Sequence, residues 1–247
     1  MKNWKTWLLV LVTVALLLLC AALPVIAASI QDSATVDQYG YSDMESLELD
    51  FTTSMSLLGK LALIRDGTYY AVSPTETVIR QSGIEQVVKN GLNLYYEASL
   101  VPYNWKNYEF TAQPHLVNSP ADMDGYAIIW VVSIYWPDMD SVLELYVDDE
   151  TGLILYLHYN AGQPLDVYTT RGYLDALSNA YLESTGLAAV LEDPEAFGVE
   201  FVTFDDSGLY AKGDKSYTHT IYHPDYGSIV VAFWVYQNGY YTIIRKA

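Results

Sequence analysis

Cysteine is almost absent from this 247-residue chain: Cys20 is the only one, and it lies in the apolar N-terminal segment. No disulfide can therefore staple the rest of the chain, and thiol chemistry is excluded there. Basic side chains are also scarce, with 12 Lys and Arg against 30 Asp and Glu and a formal net charge of −18. Because such a field repels phosphate backbones, nucleic-acid binding is excluded.

Motifs of common enzyme classes are missing as well. The chain has no Gly-x-Ser-x-Gly, which would set a serine nucleophile on a sharp strand-to-helix turn. It also has no glycine-rich loop of the kind that cradles phosphate groups. Ser73, in "TYYAVSPTE", is explained by a helix-capping role. No coherent set of catalytic residues remains.

Histidine is limited to His115, His158, His219 and His223. The last two are four residues apart, which on a strand separates them by roughly 13 Å, too far to share one ion. A metal site would require Pro224 to turn the chain early and bring in a further ligand, Asp225. We therefore predict no catalytic, cofactor-binding or metal-ligating residues, and no cofactor.

The first 28 residues have two interpretations. Two lysines precede an uncharged run over residues 7–28, with Pro24 ahead of the small pair Ala27 and Ala28. This layout is typical of a secretory signal cleaved near that pair. A run of roughly 20 apolar residues can also remain as a membrane anchor. Both interpretations place the chain from Ser29 onward outside the cytoplasm, secreted or anchored, and its cysteine-free composition is typical of a bacterial envelope protein.

The next segments predict a linker and two helical stretches. Residues 29–53 are polar and acidic and indicate a linker. "SMSLLGKLALIRDG" has apolar residues at helical spacing and ends at Gly67, although a strand fits almost as well. Ser73, followed by Pro74 and by Glu76 three positions on, forms a capping box. A long helix, broken near Gly83, is therefore expected from Ser73.

Strand patterns follow this helix. "YEFTAQPHLV", "GYAIIWVVSIYW" and the two runs that flank "DDETG" are strand candidates. Alternation fails over residues 128–132, which are all apolar, so we expect both faces of that strand to be covered.

The same order then repeats. "TTRGYLDALSNAYLESTG" predicts a helix with Leu174, Leu177 and Tyr181 on one face and Gly186 as its stop. Further strands follow, and Asn238-Gly239 is a strong hairpin signal. The expected fold class is α+β, with two modules over residues 54–160 and 170–247. Each module is a helix packed on an antiparallel β-meander, and the N-terminal signal or anchor helix precedes both.

The acidic stretch "DDETG" is the strongest candidate for chemistry. Asp148 can cap a tight turn, and Gly152 can take a positive φ that closes a hairpin. Asp149 and Glu150 are then expected to point into water at the tip. A calcium loop needs more oxygen ligands and a closing acid, whereas this stretch becomes apolar after the glycine. We therefore predict a structural turn.

"VLELYVDDETGLILYL" resembles the closing hairpin of PepSY domains. The match consists of Tyr146, Val147, Asp148, Thr151, Gly152 and Ile154. With the preceding helix and central strand, the resemblance covers about residues 73–159. It implies a cystatin-like helix on an antiparallel sheet, in a family of propeptide-type inhibitors, envelope sensors and accessory binding domains. The second module, with "DDSG" and no threonine, departs from the pattern.

Together these features predict a non-enzymatic extracytoplasmic protein that binds and regulates an envelope protein or a peptide. Its 23 tyrosines favour recognition, and clusters such as Tyr236, Tyr240 and Tyr241, or Trp105 and Tyr108, could form the contact face. The membrane would be contacted only through residues 7–28, if uncleaved. Two alternatives remain: an exported hydrolase with carboxylates assembled between the modules, and an accessory structural envelope domain.

Overall fold

The computed structural model describes residues 55–102, 105–119, 122–165, 170–209 and 215–246. The predicted signal or anchor (1–28) and linker (29–53) lie outside these ranges. The described residues all belong to one compact unit. Within the described ranges, no helix combines the length and the apolar character needed to cross a membrane.

Five α-helices and nine strands make up the described fold. The helices are α1 Leu57–Asp66, α2 Ile84–Gly91, α3 Asn93–Glu97, α4 Thr170–Thr185 and α5 Leu187–Glu192. The strands are β1 Thr68–Ala71, β2 Glu109–Ser119, β3 Asp122–Trp136, β4 Ser141–Asp148, β5 Ile154–Asn160, β6 Phe201–Leu209, β7 Lys215–His223, β8 Gly227–Tyr236 and β9 Gly239–Arg245.

All nine strands belong to one antiparallel sheet in the order β1-β2-β3-β4-β5-β9-β8-β7-β6. The run from β2 to β5 is one meander and the run from β6 to β9 is another. They meet where β5 pairs with β9, the last strand of each run. The α+β class is confirmed, while the division into modules 54–160 and 170–247 stays a prediction, because one sheet contains both meanders.

The helix predictions were right in type but not always in extent. The stretch left open between helix and strand is α1, which Ser56 caps by accepting a hydrogen bond from Gly59 N at 3.2 Å. The prediction of a long helix from Ser73 was wrong. Ser73 caps only a 3₁₀ turn, Pro74–Glu76, and α2 begins eight residues after the end of that turn, at Ile84. Thr77 explains the stop, because it is extended and its hydroxyl donates to Pro74 O at 2.8 Å.

Helices α2 and α4 pack on one face of the sheet, which we call the helical face, and α3 and α5 pack against α4. Gly91 of α2 lies against Ile154, and α4 contacts β5, β7 and β8. The Tyr181 hydroxyl of α4 donates to Leu155 O at 2.7 Å. The predicted α4 stripe is confirmed, since Leu174, Leu177 and Tyr181 are fully buried. This face contains most of the core.

Helix α1 packs on the other face of the sheet, the opposite face, where it contacts β2, β3, β8 and β9. It covers only part of that face. The partial cover is visible along strand β3. Ile128, Ile129 and Trp130 are consecutive and buried, whereas Val131 and Ser133, on the opposite face, are half-buried. Coverage of both faces is therefore confirmed for the first part of β3 only.

The Asn238-Gly239 hairpin is present between β8 and β9, with Gln237 and Asn238 as its loop. Gly239 is not needed for a positive φ there. A Cβ at this position would lie 2.0 Å from Tyr159 O, so glycine allows β9 to approach β5. This close approach joins the two meanders.

Candidate functional site

The acidic turn forms the hairpin that the sequence predicts. Asp148 Oδ2 accepts hydrogen bonds from Thr151 N at 3.0 Å and from the Thr151 hydroxyl, and Gly152 has a φ of +73°. Leu143, Leu145 and Val147 before the turn are all buried. The structural interpretation of this turn is therefore supported by its geometry.

The exposure predicted for the turn was right for Glu150, which is exposed, but wrong for Asp149. Asp149 is only 2% exposed, and it accepts three hydrogen bonds. Trp130 Nε1 and Ile79 N donate to Oδ1 at 2.7 and 2.9 Å, and Val78 N donates to Oδ2 at 2.6 Å. Asp149 thus ties the segment before α2 to the helical face of the sheet.

Asp148 is engaged on the other side of the sheet. Its Oδ2 lies 2.8 Å from the ammonium of Lys60 in α1, and Glu150 Oε2 lies 2.6 Å from the same ammonium. Lys60 is 5% exposed and Asp148 is 1% exposed, while the Glu150 side chain is 44% exposed. Successive acids therefore anchor elements on the two faces, because side chains alternate along a strand. Asp148 Oδ2, both Asp149 oxygens and Glu150 Oε2 are therefore engaged within the chain.

A second set of residues is brought together by strand register on the opposite face. Ser133 pairs with Glu144, Glu144 with His158, and His158 with Tyr241. Tyr241 in turn pairs with Trp234. These residues form one row that crosses β3, β4, β5, β9 and β8. Tyr146 and Tyr156, also paired, lie beside this row.

The aromatic surface is our name for six half-buried side chains on this face. They are Tyr146, Tyr156, His158, Trp234, Tyr236 and Tyr241. The rings of Tyr146 and Tyr156 are 4.7 Å apart, and the ring of Tyr241 lies 5.8 Å from His158 and 6.1 Å from Trp234. These centroid distances are in the range of favourable aromatic pairs. The surface is therefore preorganised by ring-to-ring contacts.

A shallow open groove adjoins this surface between β2 and β3. Its volume is about 420 Å³, and its lining consists of Thr111, Ala112, Gln113, Val131 and Ser133. Val131 pairs with Tyr146 and Ser133 pairs with Glu144, so the groove and the aromatic surface are continuous. The groove lining contains no ionisable group.

Three phenols of the aromatic surface, those of Tyr146, Tyr156 and Tyr236, have a pKa raised by burial. Burial, with smaller effects from Tyr146 and Glu144, raises the pKa of Tyr156 to about 12. Burial and the Glu144 charge also raise the pKa of Tyr146. The Tyr236 hydroxyl lies 2.9 Å from His158 Nε2, and His158 Nδ1 lies 3.1 Å from Glu144 Oε2. His158 thus connects a carboxylate and a phenol.

The predicted aromatic clusters are only partly available for contact. Tyr236 and Tyr241 belong to the aromatic surface, whereas Tyr240 between them is fully buried. Trp105 and Tyr108 are in T-shaped contact at 5.1 Å. That cluster is occupied from within the chain, because Lys89 Nζ lies 4.9 Å from the Trp105 ring centroid.

The histidine pair lies on a single strand, as the spacing requires. His219 and His223 both belong to β7, and His223 Nδ1 accepts from Asp225 N at 3.1 Å. In the parts of the chain that the structure describes, no group of three or more His, Cys, Asp or Glu side chains is placed to hold a metal ion. The strand continues through His223, so Pro224 does not turn the chain early enough to bring the pair together.

His219 is expected to make folding stability depend on pH. Its ring lies 4.8 Å from Phe204 and 6.1 Å from Phe233, and burial lowers its pKa below 6.5. The unfolded chain therefore binds this proton more readily than the folded protein. The stabilisation is fully present above the unfolded pKa and is lost as the pH falls through the folded pKa.

Urea unfolding between about pH 7 and about pH 5 measures this effect. We expect the free energy of unfolding to fall over that interval by less than about 1.4 kcal/mol per pH unit, the limit for one proton. His219→Gln should reduce the slope. An unchanged slope would show that His219 does not contribute.

The alternative of an exported hydrolase requires two facing carboxylates in a cleft, one with a raised pKa. Asp148 and Asp149 point to opposite faces and are both engaged. Hydrogen bonds from Lys89 and Tyr108 lower the pKa of Glu85, whereas a general acid needs a raised pKa.

No family model, curated protein or solved structure matches the chain. A functional proposal therefore rests on the residues themselves.

Proposed function

We propose that this chain is a non-enzymatic extracytoplasmic binding protein that regulates an envelope protein or a peptide by holding it on the aromatic surface. The location outside the cytoplasm is supported by the signal-like or anchor-like pattern of the first 28 residues. The absence of an enzymatic role is supported by the turn at Asp148 and Asp149, whose oxygens anchor α1 and the segment before α2.

One observation carries the proposal. The pairing of β4, β5, β9 and β8 places half-buried aromatic side chains next to one another on the opposite face of the sheet. Tyrosine and tryptophan provide rigid contact area with little loss of conformational entropy, and they are enriched among the residues that dominate binding energy. A surface meant only for solvent would not need several rings in mutual contact. The adjoining groove adds a concave element to this surface.

We also propose that the chain contains two related modules, 54–160 and 170–247, the first of them PepSY-like. The β4–β5 hairpin, with Asp148, Thr151 and Gly152 in its turn, supports the resemblance. Each meander follows at least one helix, and the meanders pair through their last strands. In this arrangement the aromatic surface extends across the junction of the modules.

Panning a library of short random peptides against the full-length protein tests the function. We expect binders that contact the aromatic surface, and Tyr156→Ser should weaken them by about tenfold or more, the effect typical of an aromatic anchor. Tyr241→Ser is expected to act in the same direction. Fluorescence anisotropy with labelled peptides measures the dissociation constants.

Tyr70→Ser is the matched control, because Tyr70 lies on edge strand β1 and is 53% exposed. It should change affinity by less than about twofold, as expected for a residue outside the binding surface. Urea unfolding of each variant checks that the fold is retained. Binders that tolerate both Tyr156→Ser and Tyr241→Ser, or a library that yields none, would contradict the proposal.

A further inference from the structure

We infer that the aromatic surface and its groove bind the lysine or arginine side chains of an extended segment of a partner. This inference rests on the proposed function and adds the chemical class of the partner. Three features carry it: carboxylates beside the groove that no Lys or Arg of the described residues neutralises, a groove lining that can accept an aliphatic stem, and electron-rich rings next to both.

The carboxylates lie along one side of the surface. The Glu144 side chain is 53% exposed, and Glu109 and Asp140 are also exposed. Glu109 pairs with Tyr135, whose hydroxyl donates to Asp140 Oδ1 at 3.3 Å. Among the described residues, no Lys or Arg forms an ion pair with any of these three acids. Their charge is thus available to a cation from another molecule, and the net charge of −18 favours its approach.

The groove leads to one of these acids. Val131 and Ser133 are successive residues of β3 on the opposite face, and Ser133 is directly paired with Glu144. A lysine or arginine stem that lies over Val131 can therefore reach the Glu144 carboxylate with its charged end. Long basic side chains commonly bury their methylene groups on apolar surface while the charge stays at the rim.

The rings provide a second interaction with a cation. Tyr146 is the partner of Val131 and lies next to the groove, and Tyr156, the partner of Tyr146, lies one strand further away. The faces of aromatic rings attract ammonium and guanidinium groups. The same combination is present among the described residues, where the Lys89 ammonium pairs with Glu85 at 2.6 Å and lies 5.3 Å from the Tyr108 ring centroid.

An anionic ligand is disfavoured by the same charges. A neutral glycan could stack on the rings, but it would leave the three carboxylates unused. An extended basic peptide satisfies both the rings and the acids. Such a segment would place alternate side chains on this face, because successive side chains of an extended chain point in opposite directions.

The test uses a synthetic peptide of alternating lysine and valine, a matched peptide with glutamine at every lysine, and a neutral maltose oligosaccharide. Binding to the full-length protein is measured by titration calorimetry. We expect the lysine peptide to bind about tenfold more tightly than the glutamine peptide, and the preference should shrink at high salt. Glu144→Gln should weaken the lysine peptide about two- to fivefold, the range for an exposed ion pair. The double variant Glu109→Gln, Glu144→Gln should weaken it further.

Glu195→Gln is the control, because it removes the same charge from an exposed position in the 3₁₀ turn Pro194–Phe197. It should leave the affinity unchanged; equal effects of Glu195→Gln and Glu144→Gln would overturn the inference. If both peptides bound equally and both lost affinity in Tyr156→Ser, the inference would also be overturned, while the proposed function would stand.

Oligosaccharide binding that depends on Tyr156, without lysine-peptide binding, would overturn the inference and assign the surface to a glycan. Binding of no probe would overturn the inference as well, and the random library then decides the proposed function separately.

Discussion

Replacing Lys60 with methionine is expected to lower the free energy of unfolding by about 3–5 kcal/mol, the usual cost of removing one partner of a buried ion pair. Methionine retains most of the length of lysine, so the loss reflects charge rather than a cavity. It leaves Asp148, which is 1% exposed, without its cation. The half-exposed Glu150 contributes little to this figure, because water can solvate its carboxylate. Urea unfolding of the full-length protein, followed by tryptophan fluorescence, measures the change.

Two further variants separate this effect from a general effect of charge. Lys246 also pairs with an acid, Asp66, at 3.2 Å, but its side chain is 68% exposed. Lys246→Met should therefore cost less than about 1 kcal/mol. Adding Asp148→Asn to Lys60→Met should recover part of the lost stability, because the uncompensated carboxylate is then removed. If Lys60→Met cost no more than Lys246→Met, the buried pair would not stabilise the fold.

Features set by a few neighbouring residues could be predicted from the sequence. The hairpin at Asp148 and Gly152 depends on a side-chain cap and a positive φ within five residues, and both occur. The buried stripe of α4 follows from helical spacing alone. At Ser73 the same local reasoning was wrong, because an extended Thr77 ends the helical turn that the capping box starts.

Features set by distant residues could not be predicted in this way. Whether Asp149 is exposed depends on Val78 and Ile79, which are about 70 residues earlier in the chain. Two local signals point to the buried network. Lys60 is the only charge in the apolar stretch "LLGKLALI", and Trp130 lies in an apolar strand where its indole N–H needs an acceptor. Lys60 implies a buried acid and Trp130 implies a buried acceptor, although neither identifies the residue.

The sequence predicts that aromatic residues form a contact face, but it does not predict which of them belong to it. Alternation places Tyr240 and Tyr241 on opposite faces, but it does not decide which of them is buried. The pairing of β5 with β9 decides this, because it places Tyr240 beside Tyr159 on the helical face and Tyr241 beside His158 on the other. Such a pairing joins residues about 80 positions apart and depends on the whole sheet, a range at which local patterns carry no information.

Asp149→Asn is expected to lower the free energy of unfolding by about 3–5 kcal/mol, because it removes a buried charge that accepts three hydrogen bonds. Asparagine keeps one oxygen that can accept hydrogen bonds. Its second carboxylate oxygen is replaced by an NH₂ group, which cannot accept a hydrogen bond from a backbone or indole N–H. Trp130 Nε1, Val78 N and Ile79 N are the donors at risk. With the asparagine oxygen in the Oδ1 position, Val78 N loses its acceptor, which costs about 1–3 kcal/mol. Trp130 Nε1 and Ile79 N exchange a charged acceptor for a neutral one, at about 1 kcal/mol each, and the sum accounts for the expected range. Urea unfolding measures the loss.

The acidic segment "FDDSG", residues 204–208, provides the control for this substitution, because Asp206 is also an aspartate but is exposed on β6. Asp206→Asn should change stability by less than about 0.5 kcal/mol. In Asp149→Asn the indole N–H resonance of Trp130, assigned with Trp130→Phe, should also shift, since its 2.7 Å bond to a carboxylate is lost. A stable variant with an unshifted resonance would mean that Asp149 is not the acceptor. The acidic turn would then be free for chemistry, and the argument for a binding protein without catalysis would lose its basis.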